Sequence, residues 1–107
     1  MPPTGFTKVG RLSQLPDGEM MLAEVKGERI LVCNIGGDIC AASEVCTHAD
    51  GPLSDGYLTG SQVECPLHAS VFDVTTGKLI DGPAADGLTL YEVVIEGDDI
   101  CVGPEKL

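Results

Sequence analysis

The sequence predicts an all-β chain, a meander-like β base with a loop-rich segment inserted in its middle. Three observations carry this. Short apolar runs with a period of two occur near both ends, and glycine-containing turns separate them. Between roughly residues 43 and 82 that periodicity gives way to Gly, Pro, Asp and Ser, and this stretch holds both histidines of the chain. At 107 residues the sequence is expected to form a single domain, 1–107. There is no Trp, with only two Phe and two Tyr, so the core must come mainly from Val, Ile, Leu, Met and Cys.

Residues 5 to 9 are expected to form a first short strand, and Arg11-Leu12-Ser13-Gln14-Leu15 one helical turn stopped by Pro16-Asp17-Gly18. Met20 to Val25 has apolar side chains on both phases, broken at Glu24, and reads as a strand. Arg29 to Ile35 is clearer, because Leu31, Cys33 and Ile35 alternate with Ile30, Val32 and Asn34. Lys26-Gly27-Glu28 and Gly36-Gly37-Asp38 read as hairpin connections, which makes the first forty residues a β-meander. After Ile39-Cys40-Ala41-Ala42 come the loops, with Asp50-Gly51-Pro52 and Ser54-Asp55-Gly56 bracketing Leu53. Gln62-Val63-Glu64 and Val71-Phe72-Asp73-Val74 can pair as small strands, and Thr75-Thr76-Gly77-Lys78 makes a turn. Asp81 to Gly87 is a further loop. Leu90 to Ile95 then alternates, and a hairpin through Glu96-Gly97-Asp98-Asp99 returns the chain along Ile100-Cys101-Val102.

The formal net charge of −11 argues against nucleic acid or an anionic membrane surface as partner. Between Ser43 and Gly82 stand Glu44, Asp50, Asp55, Glu64, Asp73 and Asp81 against one base, Lys78, so the histidine-bearing segment is the acidic one. The N-terminus has neither a basic nor an apolar segment, and no apolar run exceeds four residues. Neither a signal peptide nor a membrane span is expected. Five cysteines, an odd number, with no export signal point to the cytoplasm and to thiols or metal ligands rather than disulfides, and a monomer is expected. Cys33, Cys40 and Cys101 sit in apolar strand patterns and are expected to be buried thiols acting as small hydrophobes.

Cys46-Thr47-His48 and Cys65-Pro66-Leu67-His68 form the pattern C-x-H, sixteen residues, C-x2-H. Thiolate and imidazole are ligands for soft metals and iron–sulfur clusters, and two loops with one of each can converge on one centre. A zinc tetrahedron takes the same four donors, although zinc sites more often space like ligands as C-x2-4-C and H-x3-5-H. Chance spacing of core cysteines and surface histidines is the bland alternative.

The two motifs resemble the signature of the Rieske iron–sulfur family. The resemblance implies a [2Fe–2S] cluster whose inner iron is held by Cys46 and Cys65 and whose outer iron is held by His48 and His68. It also implies a Rieske-like antiparallel β sandwich/barrel base, about 1–42 and 83–107, with an inserted cluster-binding subdomain, about 43–82. The mix of ligands has an electrostatic consequence. Two ferric ions, two sulfides and two thiolates sum to zero, whereas four thiolates give −2, so reduction is easier: roughly −150 to +300 mV against about −400 mV.

Respiratory and photosynthetic Rieske proteins carry a further pair of loop cysteines, where this chain has Gly51 and Leu67. It is more similar to the soluble ferredoxins of bacterial ring-hydroxylating dioxygenase systems. Ser70 departs from much of that group and matches a serine whose hydroxyl donates to a cluster sulfide in respiratory Rieske proteins, while Phe72 stands where those proteins have a tyrosine. The resemblance implies a one-electron carrier and not an enzyme. Its partners would be an NAD(P)H-dependent reductase and a terminal oxygenase, docking on the acidic surface near His48 and His68. Alternatives are a small Rieske-type subunit of a nitrite reductase and a zinc-stabilised interaction module. An oxygenase active site, with a 2-His-1-carboxylate iron, would need histidines beyond these two, and none remain.

Overall fold

The computed structural model describes residues 3–44, 52–66, 70–82 and 87–106, and these form two antiparallel sheets. The larger contains β1 (Thr7–Arg11), β2 (Met20–Val25), β3 (Glu28–Ile35), β4 (Asp38–Ser43), β9 (Leu90–Glu96) and β10 (Asp99–Glu105), in the order β1-β10-β9-β4-β3-β2. The smaller contains β5 (Tyr57–Thr59), β6 (Gln62–Glu64), β7 (Val71–Asp73) and β8 (Leu79–Asp81), in sequence order. The chain is all-β, as expected.

β2, β3 and β4 do form a meander. The β2–β3 turn places Lys26 and Gly27 both at positive φ, 52° and 84°, the handedness that a two-residue hairpin needs to match strand twist. β1 is not part of it, which corrects the expected run of neighbours: it pairs with β10, from Thr7 opposite Val102 to Arg11 opposite Asp99. The cause is the turn that follows. Leu12–Gln14 is a single 3₁₀ turn, and the Leu12 N–H donates to the Asp98 carbonyl at 2.8 Å, tying it to the β9–β10 hairpin, while Leu15 is buried. The strand itself runs two residues later than expected. β1 and β2 nevertheless approach closely, since a Cβ added at Gly10 would lie 2.8 Å from Met21 Cε, and the six strands make a nearly closed barrel.

Both faces of β3 are buried. Ile30 and Val32 join Leu15, Ala41, Ile100 and Val102 inside the barrel. Leu31 and Cys33 point outward, where Leu53, Val63, Phe72 and Val74 cover them. The smaller sheet therefore packs on the outer face of β3 and β4. Its central pair is the one expected, with Val63 opposite Phe72, but β5 and β8 occupy stretches that the sequence assigned to no strand. Each has three residues, too few to display a period.

Cys33 and Cys101 are buried as expected, whereas Cys40 is only half-buried. Cys40 lies directly opposite Cys33 but at the margin of the covering sheet, beside a depression of about 110 Å³ that Val74, Thr75 and Lys106 also line. Among the described residues no helix is long and apolar enough to cross a membrane.

Burial pushes the Cys33 thiol from its ordinary 9.0 up to about 12, with smaller contributions from Cys40 and Glu44. Burial also raises Cys40 and Cys101. A thiol that stays protonated in the fold but ionises in the unfolded chain favours unfolding only at alkaline pH. Stability of the cluster-free protein is therefore expected to be undiminished by these thiols below pH about 9 and to fall as pH rises toward about 12. Urea denaturation across that range should show a shallower decline in Cys33→Ala; an identical decline would remove Cys33 from the account.

Candidate metal centre

Of the four expected ligands, Cys65 lies within the described residues. Cys46, His48 and His68 lie outside them. The feet of the two loops that carry the expected ligands are described, and each foot is closed by the backbone.

The first loop leaves the barrel at Glu44 and returns at Leu53. The Leu53 N–H donates to the Glu44 carbonyl at 2.8 Å. The Glu44 side chain, 1% exposed, reaches across the same gap: Oε1 accepts from the Ser54 N–H at 2.8 Å and Oε2 from the Ser54 hydroxyl at 2.6 Å. Leu53–Asp55 then form one 3₁₀ turn. The second loop is the tip of the β6–β7 hairpin. Glu64 pairs with Val71, and beyond that pair the Cys65 N–H donates to the Ser70 carbonyl at 2.8 Å, closing residues 66–69.

Leu53 and Cys65 belong to the same buried cluster, so the fold brings the feet of the two loops together over β3. Cys65 is 1% exposed and is not in a disulfide. A free thiol at a backbone-closed loop foot, shielded by Leu31, Val63 and Phe72, fits a thiolate ligand of an inner, water-excluded metal position. Ser70 is fully buried one bond beyond the loop. Gly82 presses on it: at φ 108° a Cβ there would lie 2.5 Å from Ser70 Cα and 2.9 Å from its Oγ.

The acids of this region separate on burial. Asp55 and Asp81 are exposed, and Glu64 and Asp73 are half-buried. Asp73 is held below the usual carboxylate range, chiefly by the Thr75 hydroxyl and less by the Thr75 N–H and Ser61. Glu44 is not on the surface at all, which corrects its inclusion in the acidic face. Asp50 lies outside the described residues. The sequence reading missed the roles of Glu44 and Gly82. The signal for Glu44 was available: an acid that directly follows a buried strand and is followed by apolar Val45.

The Rieske [2Fe-2S] domain model matches residues 5–92. The chain belongs to the Rieske family. This Rieske chain is 46% identical over 100 residues to the ferredoxin component of biphenyl 2,3-dioxygenase from Rhodococcus jostii (strain RHA1), covering 94% of both chains. It is 39% identical over 85 residues to the naphthalene 1,2-dioxygenase ferredoxin component of Pseudomonas putida, covering 79% of this chain and 82% of that one. The ferredoxin of carbazole 1,9a-dioxygenase from Nocardioides aromaticivorans IC177 superimposes with a TM-score of 0.90 at 34% identity, over 94% of this chain and 99% of that one. A chain from the complex of reduced oxygenase and oxidized ferredoxin in carbazole 1,9a-dioxygenase gives a TM-score of 0.92 at 29% identity, over 98% and 99%. The protein is a Rieske-type ferredoxin, an electron carrier whose cofactor is a [2Fe–2S] cluster.

Since Gly82 combines a positive φ with backbone contact on Ser70, Gly82→Ala is expected to destabilise the fold by roughly 1–3 kcal/mol. Urea denaturation measures this, and a change within about 0.5 kcal/mol would show that the contact yields easily.

Proposed function

We propose that this Rieske ferredoxin takes single electrons from an NAD(P)H-dependent reductase and delivers them to a terminal ring-hydroxylating oxygenase, acting in the cytoplasm as a monomer. The observation that carries the reading is the near end-to-end likeness to ferredoxin components of dioxygenase systems, 94% of this chain against 94% of the biphenyl relative. The cluster, when bound, supplies a site that gains and loses one electron. The chain's own residues hold, shield and present it. Cys46 and Cys65 are the thiolate ligands and His48 and His68 the imidazole ligands, carried on a cluster-binding part of about 43–82 over a base of about 1–42 and 83–107. Burial of Cys65 keeps water from the thiolate side. The second ring nitrogen of each histidine is left to donate to a partner. The Ser70 hydroxyl acts as a donor toward the cluster, favouring the more negative, reduced state.

Partners dock on the acidic surface near His48 and His68. Support for this comes from the end of the smaller sheet next to Cys65, where Tyr57, Glu64, Val71 and Asp81 stand opposite one another across four strands. Tyr57 is 66% exposed and Asp81 is exposed, so an aromatic ring and carboxylates share this rim. Such a rim suits a basic partner surface.

Iron and sulfide analysis tests the ligand set: two iron and two acid-labile sulfide per chain are expected, with an EPR signal on reduction, and stoichiometric zinc without sulfide would sink it. In film voltammetry His68→Cys should lower the potential by adding a thiolate charge. Ser70→Ala should lower it by roughly 20–65 mV, the equivalent of one net hydrogen bond. Second-order rates of electron exchange with reductase and oxygenase should fall as salt rises, because exposed charges more than about 8 Å apart are largely screened at 0.15 M. Rates indifferent to salt would leave the acids as solubility groups.

A further inference from the structure

We infer that Glu44 is a positioning residue for the first loop: a buried carboxylate clamp that fixes the mouth of the loop carrying Cys46 and His48. The inference rests on the reading of those two residues as ligands and adds the means by which they are held.

Glu44 is the last residue before the loop, and it spans the loop's mouth through both of its ends. Its carbonyl accepts from the Leu53 N–H at 2.8 Å, and its side chain takes both the N–H and the hydroxyl of Ser54, at 2.8 and 2.6 Å. Two consecutive residues on the far side are thereby fastened to one residue on the near side. Its own N–H donates to the Arg29 carbonyl at 3.4 Å, linking the clamp to β3. A carboxylate that is 1% exposed is costly to bury, and no basic side chain is paired with it among the described residues. The bonds from Ser54 are what offset that cost, and charge-assisted bonds of this kind are roughly twice as strong as neutral ones. An apolar residue would fill the same space more cheaply, so the acid's distinctive contribution is directional: it sets the register between the two sides of the loop. The entropy of closing a loop is spent at its mouth, and three bonds hold this one closed.

The test uses the cluster-loaded protein and the variants Glu44→Ala, Glu44→Gln and Ser54→Ala. Hydrogen exchange reads the Leu53 and Ser54 amides against Val32 and Val102 in the barrel, and a ferrous chelator reads the rate of iron release. In Glu44→Ala, exchange at Leu53 and Ser54 and the rate of iron release are each expected to rise about tenfold, equivalent to about 1.4 kcal/mol, with Val32 and Val102 unchanged. Glu44→Gln keeps an acceptor for the Ser54 N–H and should recover most of the loss. Wild-type rates in Glu44→Ala overturn the inference, as does acceleration at Val32 equal to that at Ser54, which would make Glu44 a general stabiliser. If Glu44→Ala fails to fold, Ser54→Ala decides by the same criteria: a rise confined to the loop mouth and to iron release supports the clamp, and wild-type rates remove it. Absence of iron and sulfide from the wild type would instead defeat the cluster assignment, and the amide comparison would still stand or fall by itself.

Discussion

The two-sided burial of β3 and its neighbour β4 is the constraint on which the rest of this structure depends. Alternate residues of one short segment serve two cores: Ile30, Val32 and Ala41 fill the barrel, while Leu31, Cys33 and Ala42 form the floor of the smaller sheet. A one-residue slip of β3 against β4 would exchange the two sets and spoil both cores at once, so the register is held from two directions. The two sheets are thus parts of one packing problem. Phe72, fully buried and the largest of the wholly buried side chains among the described residues, sits in the outer core with that floor.

From this floor the position of the feet of the two loops follows. The first loop starts where β4 ends, and its return is anchored by Leu53, which enters the outer core. The second starts at Cys65, which enters the same core from β6. Each loop is closed at its foot by a backbone bond, and Leu53 and Cys65 root the two feet in a shared apolar cluster. Close backbone approaches complete the packing: a Cβ at Gly56 would meet the Glu64 carbonyl at 2.0 Å, so the entry to β5 lies hard against β6. Glycine-rich composition here is a condition of density, not of looseness.

The parts of this fold that are legible in the sequence are those whose cause is local. β3 and β9 alternate over seven or eight residues, and the turns between β2, β3 and β4 carry the glycines that positive φ demands. The Rieske family is legible in the paired Cys and His motifs because ligand chemistry restricts residue type more tightly than packing does. What is not legible is decided at a distance. β1 joins β10, ninety-odd residues away, because a 3₁₀ turn bonds to Asp98, and no pattern within residues 7–11 contains that partner. β5 and β8 exist because β6 and β7 offer them edges. Glu44 counts as one more negative charge in a sum over the segment, and only the position of Ser54 turns it into an internal tie.

That distinction between counted and placed charge governs how a chain with net charge −11 can hold a centre that must accept an electron. Each acid opposes the incoming charge, but not equally. Asp55 and Asp81 face solvent, where the dielectric and the salt weaken their effect beyond about 8 Å, so they act mainly on what approaches the surface. Buried groups are screened far less. Ser70 and Cys65 at the foot of the second loop are such buried groups. Among the acids of the segment within the described residues, Glu44 alone shares that buried position, and both of its oxygens are turned onto Ser54. Donors at those oxygens delocalise its charge toward the loop mouth instead of leaving it open to the interior. The same two bonds that position the loop thus also moderate the field of the one acid placed where solvent cannot.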